Sequence, residues 1–231
     1  MWILELIKQP LIDFVDMVAK YYPYFLKGTV NTLLLSLLAT TIGFLLGMIL
    51  ALLRINSSKN WFLKLLRTLA GAYIELIRGT PLLVQLLLIF NSTTGMSRYA
   101  AGVIALSLNS AAYVAEIIRA GIQSVDKGQM EAARSLGLSS FITYKEIILP
   151  QAVKNILPAL GNEFIVLIKE TAIVSMVGIV DLMYGVSIVQ SKTYKPVPPL
   201  IVALLIYLAL TLTLSKGVKG AERRLNRSDG R

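Results

Sequence analysis

Residues 28–53 read GTVNTLLLSLLATTIGFLLGMILALL, 26 positions without a charged side chain. At about 1.5 Å of rise per residue, a helix of this length crosses the roughly 30 Å hydrocarbon core of a bilayer. Arg54, Lys59, Lys64 and Arg67 follow at once, and basic residues crowd cytoplasmic loops. Together these features predict a first span that runs inward, with the N-terminus outside. Gly43, Gly47 and Ala51 share one face of it. Such a stripe lets another helix backbone approach closely, from the same chain or from a second subunit.

The rest of the 231-residue chain fits this start. Hydrophobic residues make up 55%, and mean hydropathy is +0.68. Charged residues are 16%, well below the roughly 25% of soluble domains. The balance of 23 Lys and Arg against 13 Asp and Glu gives a net charge of +10. The basic residues sit in short runs at the ends of apolar segments, which speaks for membrane topology and against nucleic acid. With no Cys and no His, thiol or imidazole catalysis, Cys/His zinc sites and disulfides are excluded together, and no metal site is expected.

Residues 1–27 carry Glu5, Asp13 and Asp16 against Lys8, Lys20 and Lys27, with Trp2, Phe14, Tyr21, Tyr22, Tyr24 and Phe25. This mixture lacks the pattern of a cleaved signal peptide and suits an outer interfacial segment, because aromatic rings favour the headgroup level. After the first basic loop, 61–92 is too long for a straight span and is interrupted by Gly79-Thr80-Pro81. Thr80 is expected to cap a helix opening at Pro81. The result would be a broken second span whose inner helix start offers free N–H groups. Glu75 and Arg78 are spaced to pair. A polar turn at 91–97 leads to a third span over 99–115, on which Asn109, Ala112, Tyr113 and Glu116 share a face that should look into protein or a cavity. Glu116 and Arg119 are also spaced to pair.

Residues 123–155 contain Asp126, Lys127, Glu131, Arg134, Lys145, Glu146 and Lys154, and no run long enough to span. This reads as a cytoplasmic loop of about two short helices, divided near Gly137 and stopped by Pro150. A fourth element, over 156–190, is interrupted by Asn162-Glu163 and Lys169-Glu170, so a kink is expected near Gly161 or near 169–171. Proline-rich 191–199 is the outer turn, and 200–215 the last span. Lys216, Lys219, Arg223, Arg224, Arg227 and Arg231 then mark a cytoplasmic tail. The fold class is therefore all-α and polytopic: five transmembrane elements, some broken, N-terminus out and C-terminus in. The segments are 1–27 outside, a membrane domain over 28–225 and a basic tail over 226–231.

The loop has a specific pattern. Glu131-Ala132-Ala133, three residues, Gly137, nine residues, then Ile147-Ile148-Leu149-Pro150 resembles the cytoplasmic EAA signature of ABC importer permeases. Three further blocks, 78–85, 112–121 and 157–164, resemble the polar amino acid branch, the histidine/arginine/glutamine permeases. The similarity runs from about residue 26 to about 225. It implies a type I importer permease in the cell inner membrane, importing polar L-amino acids by alternating access. Its partners would be two ATPase subunits, a second permease subunit (identical or related), an extracytoplasmic amino-acid-binding protein and the bilayer. It also implies that Glu131, Ala132, Ala133, Gly137, Ile147, Leu149 and Pro150 couple to the ATPase. This chain would need no cofactor and would not be an enzyme, ATP and magnesium residing on the partner. No G-x4-G-K-[ST] occurs, Lys216-Gly217 being followed by Val218.

For substrate, Glu163 is the leading residue: a carboxylate inside an apolar span calls for a cation, either Arg78 or Arg119 or a substrate guanidinium or ammonium. Thr80, Asn109, Ser110 and Asn162 are candidate partners for an α-carboxylate. Basic amino acids, arginine first and lysine or histidine next, are the expected cargo. Glutamine, glutamate or another polar amino acid is the alternative. An ion channel leaves the 30-residue loop without a role, and an intramembrane enzyme lacks a convergent catalytic cluster.

Overall fold

The computed structural model describes residues 2–56, 58–92 and 94–226, and is helical throughout its long elements. In order these are α1 (Trp2–Ile55), α2 (Trp61–Arg78), α3 (Leu82–Ser92), α4 (Arg98–Gln123), α5 (Lys127–Ser135), α6 (Ser140–Thr143), α7 (Leu149–Glu170), α8 (Leu182–Thr193) and α9 (Val197–Asn226). Three helices, α1, α4 and α9, are long and apolar enough to cross a membrane singly. Two bent pairs bring the possible crossings to five: α2 with α3, turned by 107°, and the stretch Ser140–Val177 with α8, turned by 50°. The polytopic architecture and both broken elements agree with expectation. Of the basic tail, 227–231 lies outside the described residues.

The bundle is built around α4. In its most apolar window 61% is buried, against 28% for α1 and 17% for α9. The reason is its small residues. Ala101, Ala105, Ala111, Ala112 and Ala115 are all essentially inaccessible, so neighbouring helices come close. The stripe on α1 meets it within the same chain. A Cβ on Gly43 would lie 2.7 Å from Ser110 Cβ, and one on Gly47 would lie 2.7 Å from Val114 Cβ and 2.8 Å from the Ala111 carbonyl. Ala51 joins Ala112, Ala115, Ile74 and Ile77 in a core cluster. Of the two partners open to this stripe, the structure shows its own α4. On the opposite side α1 leaves Leu34, Leu37, Leu38, Leu45, Ile49 and Leu52 exposed, and α9 does the same with Leu204, Leu205, Leu208 and Leu212. These are faces for lipid or for another subunit.

Several expectations need correction. Residues 2–27 are not a separate segment: α1 runs through Pro10 and Pro23 as one 54-residue helix, about 80 Å long. Its far end is tied to the α8–α9 turn. Lys195 pairs with Asp13 at 2.9 Å, and Lys192 donates to Tyr24 Oη at 2.6 Å. Pro150 stops nothing. It stands in the first turn of α7, where a proline's missing N–H costs little. A π-helical turn over Tyr144–Ile148 joins α6 to α7, so the second short helix of the loop is the start of a long one. Gly161 is no kink either; it is there because Val218 Cγ2 of α9 would lie 2.7 Å from a Cβ. The break comes at the other expected place: α7 ends at Glu170 and a 3-10 stretch, Thr171–Val177, follows.

That break is secured by α1. Asn31 Nδ2 donates to the Val180 carbonyl at 2.7 Å, and the Leu182 N–H donates to Thr32 Oγ1 at 3.2 Å. Asp181, fully buried, caps α8 by accepting the Tyr184 N–H at 2.8 Å. Backbone groups freed by a broken helix inside a membrane must find such partners. The sequence reading passed over Asp181, although a lone Asp between two apolar runs is a recognisable helix-start signal.

Candidate functional site

The first break, at Gly79-Thr80-Pro81, is organised by Gln85. Its Nε2 donates to the Ile77 carbonyl (2.8 Å), the Thr80 carbonyl (3.1 Å) and Thr80 Oγ1 (2.9 Å), while its Oε1 accepts from Asn109 Nδ2 at 3.3 Å. Thr80 does not cap α3 with its hydroxyl, which donates back to the Leu76 carbonyl at 2.8 Å. The Val84 and Gln85 N–H groups are taken by the Pro81 carbonyl. The structure therefore joins Thr80 and Asn109 into one polar array through Gln85, which lies in the 78–85 block but is not among the candidate site residues. A glutamine four positions past Pro81 in an apolar run was the available signal. Asn109 is 3% exposed and its Oδ1 has no hydrogen-bond partner among the described residues; neither has Ser110 Oγ, which faces Gly43 instead. Replacing Gln85 with leucine orphans the Ile77 carbonyl and the Asn109 amide. At about 1–3 kcal/mol per buried orphan, Gln85→Leu is expected to lower the stability of the purified protein by about 2–6 kcal/mol. An unchanged unfolding temperature would show that the array carries no such load.

Glu163, the acidic candidate, shares no hydrogen bond with this array among the described residues. Glu163 is buried at 8% exposure on α7, whereas its neighbour Asn162 is exposed. No ion pair or hydrogen bond holds the Glu163 side chain among the described residues. The two arginines proposed for it are used elsewhere. Arg119 forms a two-pronged pair with Glu116 (Nε to Oε2 2.9 Å), Arg78 Nη1 lies 3.8 Å from Glu116 Oε1, and the Arg78 guanidinium sits 5.6 Å from the Tyr113 ring centre. So Glu116 and Arg119 pair as their spacing suggested, while Arg78 turns to α4 rather than to Glu75.

At the end where α1 and α4 finish, Arg54, Ile122, Lys127, Glu131, Arg134 and Tyr144 line a cavity of about 800 Å³. The basic runs at 54–67 and 127–154 thus come to the same end of the bundle. The α9 run lies toward the same side, since Gly217, Val218 and Arg224 share a groove with Leu157 and Pro158 in the first half of α7. Here α5 is capped by Asp126, whose Oδ1 accepts the Gly128 N–H at 2.6 Å. Its other end closes with paired bonds, from the Gly137 N–H to the Arg134 carbonyl at 2.9 Å and from the Leu138 N–H to the Ala133 carbonyl at 3.0 Å. Gly137 has φ +77°, the left-handed conformation this closure requires. Ala133 is 2% exposed and packs inward, whereas Glu131 and Ala132 are exposed. The outward apolar surface is Leu136 (81%), Phe141 (76%), Tyr144 and Leu149. Exposed apolar side chains gathered on a charged loop mark a protein contact. Ile147 is half-buried and Pro150 exposed.

Comparison with known proteins decides the family. The family described as binding-protein-dependent transport system inner membrane component matches residues 43–227. The chain belongs to this family. It is a multi-pass inner-membrane transport subunit, not an enzyme, and membership implies a separate ATPase and a substrate-binding protein as partners. It is 44% identical over 214 residues to the putative glutamine transport system permease protein GlnP of Rickettsia conorii (89% of this chain, 96% of that protein). To the arginine transport system permease protein ArtQ of Bacillus subtilis it is 42% identical over 212 residues, covering 90% and 94%. A chain in the crystal structure of an amino acid ABC transporter with histidines superposes with a TM-score of 0.85 at 52% identity, over 91% of this chain and 98% of that one. The inward-facing MetNI methionine ABC transporter shares the fold, with a TM-score of 0.70 at 20% identity.

Proposed function

We propose that this chain is the permease subunit of an ABC importer for polar amino acids, with cationic ones, arginine first, as the preferred cargo. The observation that carries the preference is Glu163. A buried carboxylate inside a membrane domain costs about 3 kcal/mol or more, and no cation among the described residues pairs with it. Glu170 lies two helical turns further along the same face, half-buried and also without an ion pair among the described residues, so α7 presents two carboxyl groups on one face. A guanidinium or ammonium group would offset this cost by charge-assisted bonding. The relative named for arginine supports the reading. The relatives named for glutamine, together with the neutral Thr80–Gln85–Asn109 array, support the alternative of an uncharged amide cargo.

In this reading the side bearing 54–67, 127–154 and 216–224 faces the cytoplasm, because all three basic runs lie toward it. The loop with Leu136 and Phe141 takes the ATPase. Two permease chains, identical or related, pair with two ATPases, and closure of the ATPases moves the loop and biases an outward-open against an inward-open state.

The test is Glu163→Gln in the purified permease–ATPase complex. Arginine binding is measured by calorimetry in the absence of the external binding protein, which removes that protein's own filtering. A lost charge-assisted bond predicts about 10- to 100-fold weaker arginine binding with glutamine binding unaltered. Equal arginine affinity in the two proteins would remove Glu163 from the site. Equal losses for both amino acids would make its role structural.

A further inference from the structure

Where α1 and α9 meet the broken helix, four neighbouring oxygens have incomplete hydrogen bonding among the described residues. Asp181, Thr32 and Thr171 are fully buried, and so is the hydroxyl of Tyr207 on α9, although that residue as a whole is only half-buried. The Leu182 N–H, next in the chain to Asp181, donates to Thr32 Oγ1 at 3.2 Å. Tyr207 Oη stands beside the Thr32 and Thr171 hydroxyls and in the field of the Asp181 carboxyl. Inside a membrane domain such groups have no bulk water to turn to, and each one left unpaired is costly.

Two of the four lack a donor. Asp181 Oδ1 accepts the Tyr184 N–H at 2.8 Å, but Oδ2 accepts from no described residue. Thr171 Oγ1 gives its proton to the Ile168 carbonyl at 2.7 Å and keeps its lone pairs. The other two lack an acceptor. Tyr207 Oη has no partner, so its proton is unused. Thr32 Oγ1 accepts the Leu182 N–H but donates to no described residue. Two donors are needed and two are offered, which is the complement of one water molecule. A metal cation would take lone pairs from all four oxygens and leave both hydroxyl protons unused. A proton on Asp181 would add a third donor to a site already short of acceptors.

We propose that this junction is a binding site for one ordered water, which donates to Asp181 Oδ2 and Thr171 Oγ1 and accepts from Tyr207 and Thr32. The water joins four elements: α1 through Thr32, the 3-10 stretch through Thr171, the mouth of α8 through Asp181 and α9 through Tyr207. Nearby, α9 packs through Val202, Ala203 and Ile206, which are apolar; the water adds the directional contact. The site does not depend on which amino acid is carried.

The test uses the purified permease–ATPase complex. A high-resolution experimental map of the wild type should show a single density at hydrogen-bonding distance, about 2.7–3.2 Å, from all four oxygens. Tyr207→Phe removes one oxygen and leaves the ring in place. It should weaken that density and lower the thermal midpoint by about 2–4 °C. Thr171→Val should lower the midpoint as well. Because both residues hold the same water, the double variant should fall by less than the sum of the two shifts. A map with no density there, or with Tyr207 Oη bonded directly to Asp181, would overturn the proposal, as would additive shifts or an unchanged midpoint in Tyr207→Phe. A midpoint that changes when sodium is exchanged for potassium or choline at constant ionic strength would also overturn it, since a metal ion would then be the occupant.

Discussion

Gly137→Val is expected to abolish coupled uptake while leaving the membrane bundle folded. The effect comes from the backbone alone, because no atom lies within 4 Å of the position a Cβ would take. At φ +77° an L-residue pays about 1–2 kcal/mol, and a β-branched one more. To escape, the turn must give up the Gly137-to-Arg134 and Leu138-to-Ala133 bonds that close α5. Ser139, which begins α6 by accepting the Ile142 N–H, then loses its position, and with it Leu136 and Phe141 on either side of the turn. Those are the most exposed apolar side chains of the loop, so a partner that docks there would meet them in the wrong place. Aspartate tolerates the left-handed region better than valine does, so the effect of Gly137→Asp should be smaller and come from the charge beside Leu136. Gly137→Asn is the control, since asparagine tolerates the left-handed region; it should retain most activity. Transport and ATP hydrolysis are measured together in reconstituted complex. Normal coupled uptake with valine would show that the turn does not position the docking surface.

Much of the fold was legible because a membrane limits the choices. The uncharged run 28–53, the basic residues after it and the later basic clusters led to five crossings, and the structure has three long helices with two bent pairs to match. The Gly43–Gly47–Ala51 stripe announced a close helix contact but not its partner, since closeness depends equally on the Ser110, Ala111 and Val114 side of α4. The failures share a cause: proline and glycine were read as punctuation. Pro150 stands in the first turn of a continuing helix, and Gly161 marks an interhelical contact rather than a bend. Local signals could not reveal these, because neighbouring helices decide whether a break is used. In the same way Glu163 was legible as a charge in an apolar run, but that Arg78 and Arg119 are engaged by Glu116 and Tyr113 is a fact of tertiary packing. Gln85 was hidden for a different reason: its importance comes from the bend it spans.

The second large effect is expected at Gly28. A Cβ there would lie 2.6 Å from the Asp181 carbonyl oxygen and 2.7 Å from Leu182 Cα. Both are backbone atoms at the mouth of α8, so neither can swing aside as a side chain would. Three contacts depend on this approach. Asn31 and Thr32, one turn further along α1, hold the Val180 carbonyl and the Leu182 N–H. On the facing helix Gly185 leaves a Cβ position only 2.8 Å from the Tyr24 carbonyl. Gly28→Val therefore has to lift α1 away from the break, exposing two backbone groups at about 1–3 kcal/mol each on top of the overpacking cost, typically about 1–3 kcal/mol. The expected result is that little folded complex survives extraction. Gly28→Ala should give a graded version, a measurable fall in the thermal midpoint. Gly220→Ala, where a Cβ meets nothing within 4 Å on an exposed helix, should instead hold or raise stability by up to about 1 kcal/mol. If Gly28→Val and Gly220→Ala unfold at the same temperature as the wild type, α1 does not secure the broken helix. The buried Asp181 cap would then have to hold it unaided.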